Sequence, residues 1–153
     1  NWTEQLHNRR KKFTLEQLLK QQEDQSKRGL EAEEFVLELE KKRLPEMAQK
    51  IKRISDFDVA AGYDIVSYES SGNEHYDRFI EVKCYIGTPH FFWSENESDI
   101  ARIKADKYLL CLVDYTRIKE PGYQPEFIRN PYETIFNGEE WLVNTASYRI
   151  QKI

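Results

Sequence analysis

A chain of 153 residues is the length of one ordinary domain, long enough to bury about 70% of the surface its unfolded form exposes. Its 39% hydrophobic and 33% charged residues, with six glycines and five prolines, argue against a fibrous or disordered chain and for a mixed α/β domain. The formal charge of −4 argues against a domain that grips nucleic acid strongly on its own, because neutralising phosphates takes clustered Lys and Arg. The sequence holds no apolar run of ~18 residues and its first thirty residues are too charged for a secretory signal. The expectation is a soluble, intracellular, cytoplasmic protein that does not meet a membrane. Cys84 and Cys111 each sit in an apolar strand-like run, as reduced core residues do.

In chain order, Trp2 to Lys12 reads as a helical arm, and the capping box Thr14-Leu15-Glu16-Gln17 opens a helix from about Leu15 to Lys27. Gly29 is expected to separate it from the next helix. There Ala32, Phe35, Val36 and Leu39 recur at helical spacing until Pro45 ends the pattern. The period then changes. Ile51 to Ser55 is a weak strand candidate; Gly62 to Glu69 and Tyr76 to Ile86 are stronger ones, joined by the turn chemistry of Ser70-Ser71-Gly72-Asn73. Ser94-Glu95-Asn96-Glu97 is a second capping box, opening a helix to about Ala105, and Lys107 to Tyr115 reads as a buried strand. Beyond Pro121 the signals weaken to a strand near Phe127, a short helix after Pro131 and a last strand from Trp141 to Ile150. The basic runs Arg9-Arg10-Lys11-Lys12 and Lys41-Lys42-Arg43 read first as solvated helix faces.

The chemistry concentrates in Gly62-Tyr63-Asp64-Ile65 and Ile80-Glu81-Val82-Lys83. In the second of these strands Ile80, Val82 and Cys84 alternate with Glu81, Lys83 and Tyr85, so a core face and a charged face separate. A two-residue turn centred on Gly72-Asn73 puts Asp64 opposite Glu81. Two carboxylates so placed repel unless a cation lies between them, and a hard divalent ion with oxygen ligands is the natural one. Mg²⁺, with Mn²⁺ able to substitute, would take Asp64, Glu81 and the carbonyl of Val82, leaving Lys83 to position a water or to offset charge on a phosphoryl group. On the residues alone an ordinary surface charge pair stays open as the alternative. Glu-x-Lys by itself says little, since Glu40-Lys41-Lys42 has the same form within a helix.

The order of these pieces, with Ala32-Glu33-Glu34-x-Val36 on the first helix, Gly62-Tyr63-Asp64-Ile65, Glu81-Val82-Lys83 and Phe92-x-Ser94-x-Asn96-Glu97, resembles a known domain. It is the nuclease-like domain found at the C-terminus of the plant NO VEIN protein, a branch of the PD-(D/E)XK, restriction-endonuclease-like superfamily near the Mrr-like enzymes. The segment from Asn130-Pro131 to Tyr148-Arg149-Ile150 resembles that family more weakly. The resemblance implies an α-β-β-β-α-β core with a mixed sheet, preceded by a helical arm over residues 1–28 and carried by residues 29–153, with a C-terminal β extension. It implies that Asp64 and Glu81 bind metal, that Lys83 assists catalysis, and that Glu33 reaches the site from the first helix. Glu34 is the second candidate for that last role, because the family usually shows Gly-Glu where this chain has Ala32-Glu33. Asn96 and Glu97 would sit at the edge of the site, although Glu97 equally reads as the partner of Ser94 in the capping box. The implied activity is metal-dependent hydrolysis of DNA, as the cutting module of a restriction, defence or repair system whose other domains or subunits recognise the target; a homodimer is compatible with it. The alternatives are a non-catalytic nucleic-acid- or protein-binding scaffold of the same fold and an RNA-directed nuclease. His75 and His90 read as loop residues, and Phe91, Phe92 and Trp93 as core packing before base stacking.

Overall fold

The computed structural model describes residues 26–54, 57–58, 60–144 and 151–152. The expected arm, the capping box at Thr14 and the basic run from Arg9 lie outside them. The first described helix, α1, covers residues 26–43 and buries Ala32, Val36, Leu37 and Glu40, a stripe at helical spacing. Gly29 lies inside this helix instead of dividing it, which corrects the expected break. One glycine costs a helix about 1 kcal/mol, less than the burial of the stripe that follows it returns. Pro45 then diverts the chain into a short 3-10 turn over Pro45–Met47.

Five strands follow in a single sheet whose order is that of the chain. They are β1 (Lys52–Arg53), β2 (Ile65–Ser67), β3 (Arg78–Tyr85), β4 (Tyr108–Asp114) and β5 (Glu126–Arg129). Every neighbouring pair is antiparallel except β3 and β4, which run parallel and need the crossover helix α2 (Glu95–Lys104) between them. A short helix, α3 (Pro131–Phe136), follows β5. The result is the expected α-β-β-β-α-β succession with a mixed sheet. Of the expected last strand, residues 141–144 are not in a strand and 145–150 lie outside the described residues; the strand present after β4 is β5.

The parallel strand β4 is buried on both sides, which is why its sequence is an unbroken apolar run. Leu109, Cys111 and Val113 face α1 with Val36, Ile65, Ile80 and Val82, while Leu110 and Leu112 pack with Ile128 and Ile135 on the side of α2 and α3. Phe91 and Trp93 pack against this second cluster, whereas Phe92 is exposed. Both cysteines are free, with Cys111 fully buried. At the far end of the sheet the Arg78 guanidinium donates to the buried Glu40 carboxylate at 2.7 Å, and Arg43 donates to the same group. Glu40 of the Glu40-Lys41-Lys42 string is thus half of a structural ion pair with Arg78, at the opposite end of β3 from Lys83.

Candidate active site

The hairpin register decides whether two carboxylates can meet. Ile65 pairs with Ile80, Val66 with Phe79 and Ser67 with Arg78, the register that a turn centred on Gly72-Asn73 imposes, although the strands stop short of it and leave a ten-residue connection, 68–77. One step further along, the ladder changes. The Asp64 N–H donates to the Ile80 carbonyl at 2.8 Å, so Asp64 and Ile65 both face Ile80 in the manner of a β-bulge. Asp64 is therefore not directly opposite Glu81, as the two-residue turn predicted. The bulge re-aims its side chain, and Oδ2 accepts the Val82 N–H at 2.8 Å. Since the N–H and C=O of one strand residue point to the same side, the Val82 carbonyl also faces the open end of β2.

On β3 the predicted alternation holds. Ile80 and Val82 enter the core against α1, with Cys84 packed at its edge, and Glu81 and Lys83 face the side of α2. Glu81 is 6% exposed. The Lys83 ammonium lies 3.4 Å from Glu81 and donates to both oxygens of Glu97, at 3.1 and 3.0 Å. Glu97 also closes the capping box: its carboxylate accepts the Ser94 N–H at 3.0 Å while its own N–H donates to Ser94 Oγ at 3.1 Å. The one side chain thus closes the capping box and meets Lys83.

From the other side of the sheet, α1 supplies Glu33, which hydrogen-bonds the Asp64 side chain. Glu34 is more than half exposed and lies 3.9 Å from Arg53 on β1, so of the two helix glutamates it is Glu33 that meets the site. Asn96 donates from Nδ2 to the Ala60 carbonyl at 2.8 Å. A cavity of about 530 Å³ opens in front of these groups, lined by Asp64, Glu81, Asn96 and Glu97 with Gly62 and Ser94. His75 and His90 stay on exposed loops outside it.

Crowded carboxylates in a buried place resist ionisation. Burial, followed by the charge of Asp64, pushes the Glu81 carboxyl up to about 10 against the favourable pull of Lys83. Asp64 is raised too, by burial above all, although Glu33, the Val82 N–H and Lys83 oppose the shift. Glu97 goes the other way: burial would raise it, but Lys83 and a hydrogen bond from Glu81 hold it down. Burial disfavours the Lys83 charge, yet Glu81 and Glu97 outweigh it and keep the amine protonated. The internally consistent state is a protonated Glu81 shared with Glu97, an ammonium at Lys83, and Asp64 pinned to the backbone of Val82.

A family model described as Protein NO VEIN, C-terminal, matches residues 32–127. The chain belongs to that family. No curated protein and no solved structure is similar enough to match it. The span shared with Protein NO VEIN holds Glu33, Glu34, Asp64, Glu81, Lys83, Asn96 and Glu97, whereas the segment from Asn130 onward lies outside it. Sequence reasoning missed the Lys83–Glu97 ion pair, because nothing in the spacing says that the capping residue of one element will face the next strand. It also missed Tyr108, whose hydroxyl donates to the Gly62 carbonyl at 2.8 Å beneath the cavity.

Among the described residues no three Asp, Glu, His or Cys side chains stand together as a ready set of metal ligands. The donor chemistry nevertheless suits a hard divalent cation. Asp64 and Glu81 offer buried oxygens whose charges would repel each other, Lys83 lies within reach of Glu81 and Glu97, and Mg²⁺ brings its remaining ligands as water.

Proposed function

We propose that this domain is a metal-dependent nuclease of the PD-(D/E)XK type that hydrolyses DNA phosphodiester bonds, as the cutting module of a restriction, defence or repair system. The observation that carries the reading is the meeting of Asp64, Glu81 and Lys83 at the open end of the β2–β3 ladder, in front of a cavity and with Glu33 bonded to Asp64. Membership of the NO VEIN C-terminal family supports it.

Asp64, Glu81 and the Val82 carbonyl are the groups that would hold Mg²⁺, or Mn²⁺ in its place. Bound there, the cation supplies Lewis-acid stabilisation of phosphoryl charge and a more acidic water. Glu81 must give up its proton to become a ligand, and Glu97, already hydrogen-bonded to it and itself a weak base, is placed to pass that proton on to solvent. Lys83, kept charged by Glu81 and Glu97, is placed to orient the attacking water or to offset charge on the phosphoryl oxygens. Glu33 orients Asp64 through their hydrogen bond.

One observation favours the rival reading of a non-catalytic scaffold: Asp64 is satisfied by a backbone N–H and Lys83 by two carboxylates, so the site is at rest without a ligand. The experiment that separates the two incubates the purified domain with DNA and with RNA in Mg²⁺ or Mn²⁺. The nuclease reading expects nicks or degradation that EDTA abolishes and that Asp64→Asn lacks. Cleavage that survives EDTA points to metal-independent chemistry, cleavage of RNA alone reassigns the substrate, and no cleavage of either supports the scaffold.

A further inference from the structure

Asp64 is held at the end of a segment, Ala60 to Tyr63, that belongs to no strand. Such a segment drifts unless something outside it fixes it, and three contacts from two other elements do so. The Tyr108 hydroxyl, on a residue that is fully buried at the start of β4, donates to the Gly62 carbonyl at 2.8 Å. Asn96, in the first turn of α2, donates to the Ala60 carbonyl at 2.8 Å. Gly62 itself has φ +82, and a Cβ there would stand 2.7 Å from Cγ1 of Ile100, so the backbone lies directly against α2. Only glycine meets both conditions at little cost.

A hydroxyl has one proton to give, and Tyr108 gives it to the Gly62 carbonyl. Burial suppresses its acidity, so it remains a neutral donor. The Trp93 indole nitrogen, buried and without a hydrogen bond of normal geometry among the described residues, lies on the side of the same hydroxyl. A phenylalanine would fill the same buried space without the donor.

We infer that Tyr108 and Asn96 are positioning residues that clamp the Ala60–Gly62 backbone and thereby set where the Asp64 carboxylate stands. The inference rests on the proposed nuclease site for its catalytic consequence, but not for its geometry. Neither residue touches the reacting atoms. Their effect passes through Gly62 and Ala60 to Asp64 and its bond with the Val82 N–H.

The test is amide hydrogen exchange of the whole chain, comparing wild type with Tyr108→Phe and Asn96→Ala, followed by Mn²⁺ titration of each. Losing one clamp bond should speed exchange at the Asp64 and Val82 amides by about five- to tenfold, the worth of one hydrogen bond, while Leu110 and Leu112 in β4 stay protected. Where the wild type binds Mn²⁺, Tyr108→Phe should need several-fold more of it for half-saturation. It should also cleave at near the wild-type rate once saturated, a split that a general loss of stability does not produce. Unchanged exchange at Asp64 and Val82 in both variants, or exchange that rises equally throughout β4, overturns the clamp. A wild type that binds no Mn²⁺ refutes the nuclease reading and leaves the clamp to stand or fall on the exchange data.

Discussion

Burial and the neighbouring Asp64 push the Glu81 carboxyl from 4.5 up to about 10, so the folded protein keeps a proton that the unfolded chain releases. A raised carboxyl contributes stability that is complete below pH 4.5 and is lost as pH rises toward 10. Glu81→Gln removes that liability. Its melting temperature should come closest to the wild type near pH 4 and exceed it increasingly from pH 5 to 9, and a constant difference across that range would show that Glu81 does not carry the strain. Asp64→Asn keeps an oxygen for the Val82 N–H but removes a charge, so apo stability should hold or rise while cleavage is lost. Lys83 is a different case. Lys83→Ala leaves Glu81 and Glu97 without their shared cation and should cost roughly 1–3 kcal/mol in urea unfolding as well as cleavage. The identity of these residues was legible because strand alternation sorts Glu81 and Lys83 from Ile80 and Val82. Which of Glu33 and Glu34 meets Asp64 was not, since adjacent helix residues differ by only ~100° and the tilt of α1 on the sheet decides between them.

At the level of elements, amphipathic stripes and capping boxes carried most of the information. Ser94 to Glu97 announced the start of α2, and the apolar run of β4 announced a strand buried on both sides. Two departures have local causes. Gly29 does not break α1 because tertiary burial of Ala32 and Val36 outweighs its propensity, and the bulge at Asp64 is a backbone event that side-chain alternation cannot encode. The Glu40–Arg78 pair likewise joins residues 38 apart, a distance at which no helical or strand period helps. Its consequence is testable. Arg78→Ala strands a buried carboxylate and should destabilise the domain by about 3–5 kcal/mol without altering the Mn²⁺ response of the folded fraction. Net contacts with Arg43 and Arg78 lower the Glu40 pKa even though burial opposes it, so this stability is present above pH 4.5 and disappears as pH falls through the folded value. The acid limb of the wild-type unfolding curve should therefore flatten in Glu40→Gln.

For the molecule as a whole, a net charge of −4 and an acidic cavity offer little general attraction to a polyanion. On the proposed nuclease reading, a cutting module so built would depend on something else to deliver its substrate. Fusing the domain to an unrelated DNA-binding domain should raise cleavage near the bound site by one or more orders of magnitude at low DNA concentration, through effective concentration alone, while leaving the rate at saturating DNA unchanged. The α-β-β-β-α-β order could be read in advance because each element declares its own period. How α1 and α2 would bring Glu33 and Glu97 to the same strand end could not, because that depends on packing across both faces of the sheet.

The proposed chemistry requires that Asp64 and Glu81 take up a cation, and isothermal titration of Mn²⁺ into the metal-free wild type and into Asp64→Asn tests this directly. The account predicts saturable heat in the wild type, accompanied by proton release as Glu81 ionises, and no such heat in Asp64→Asn at equal folded fraction. No heat in the wild type, or the same heat in both proteins, would contradict it.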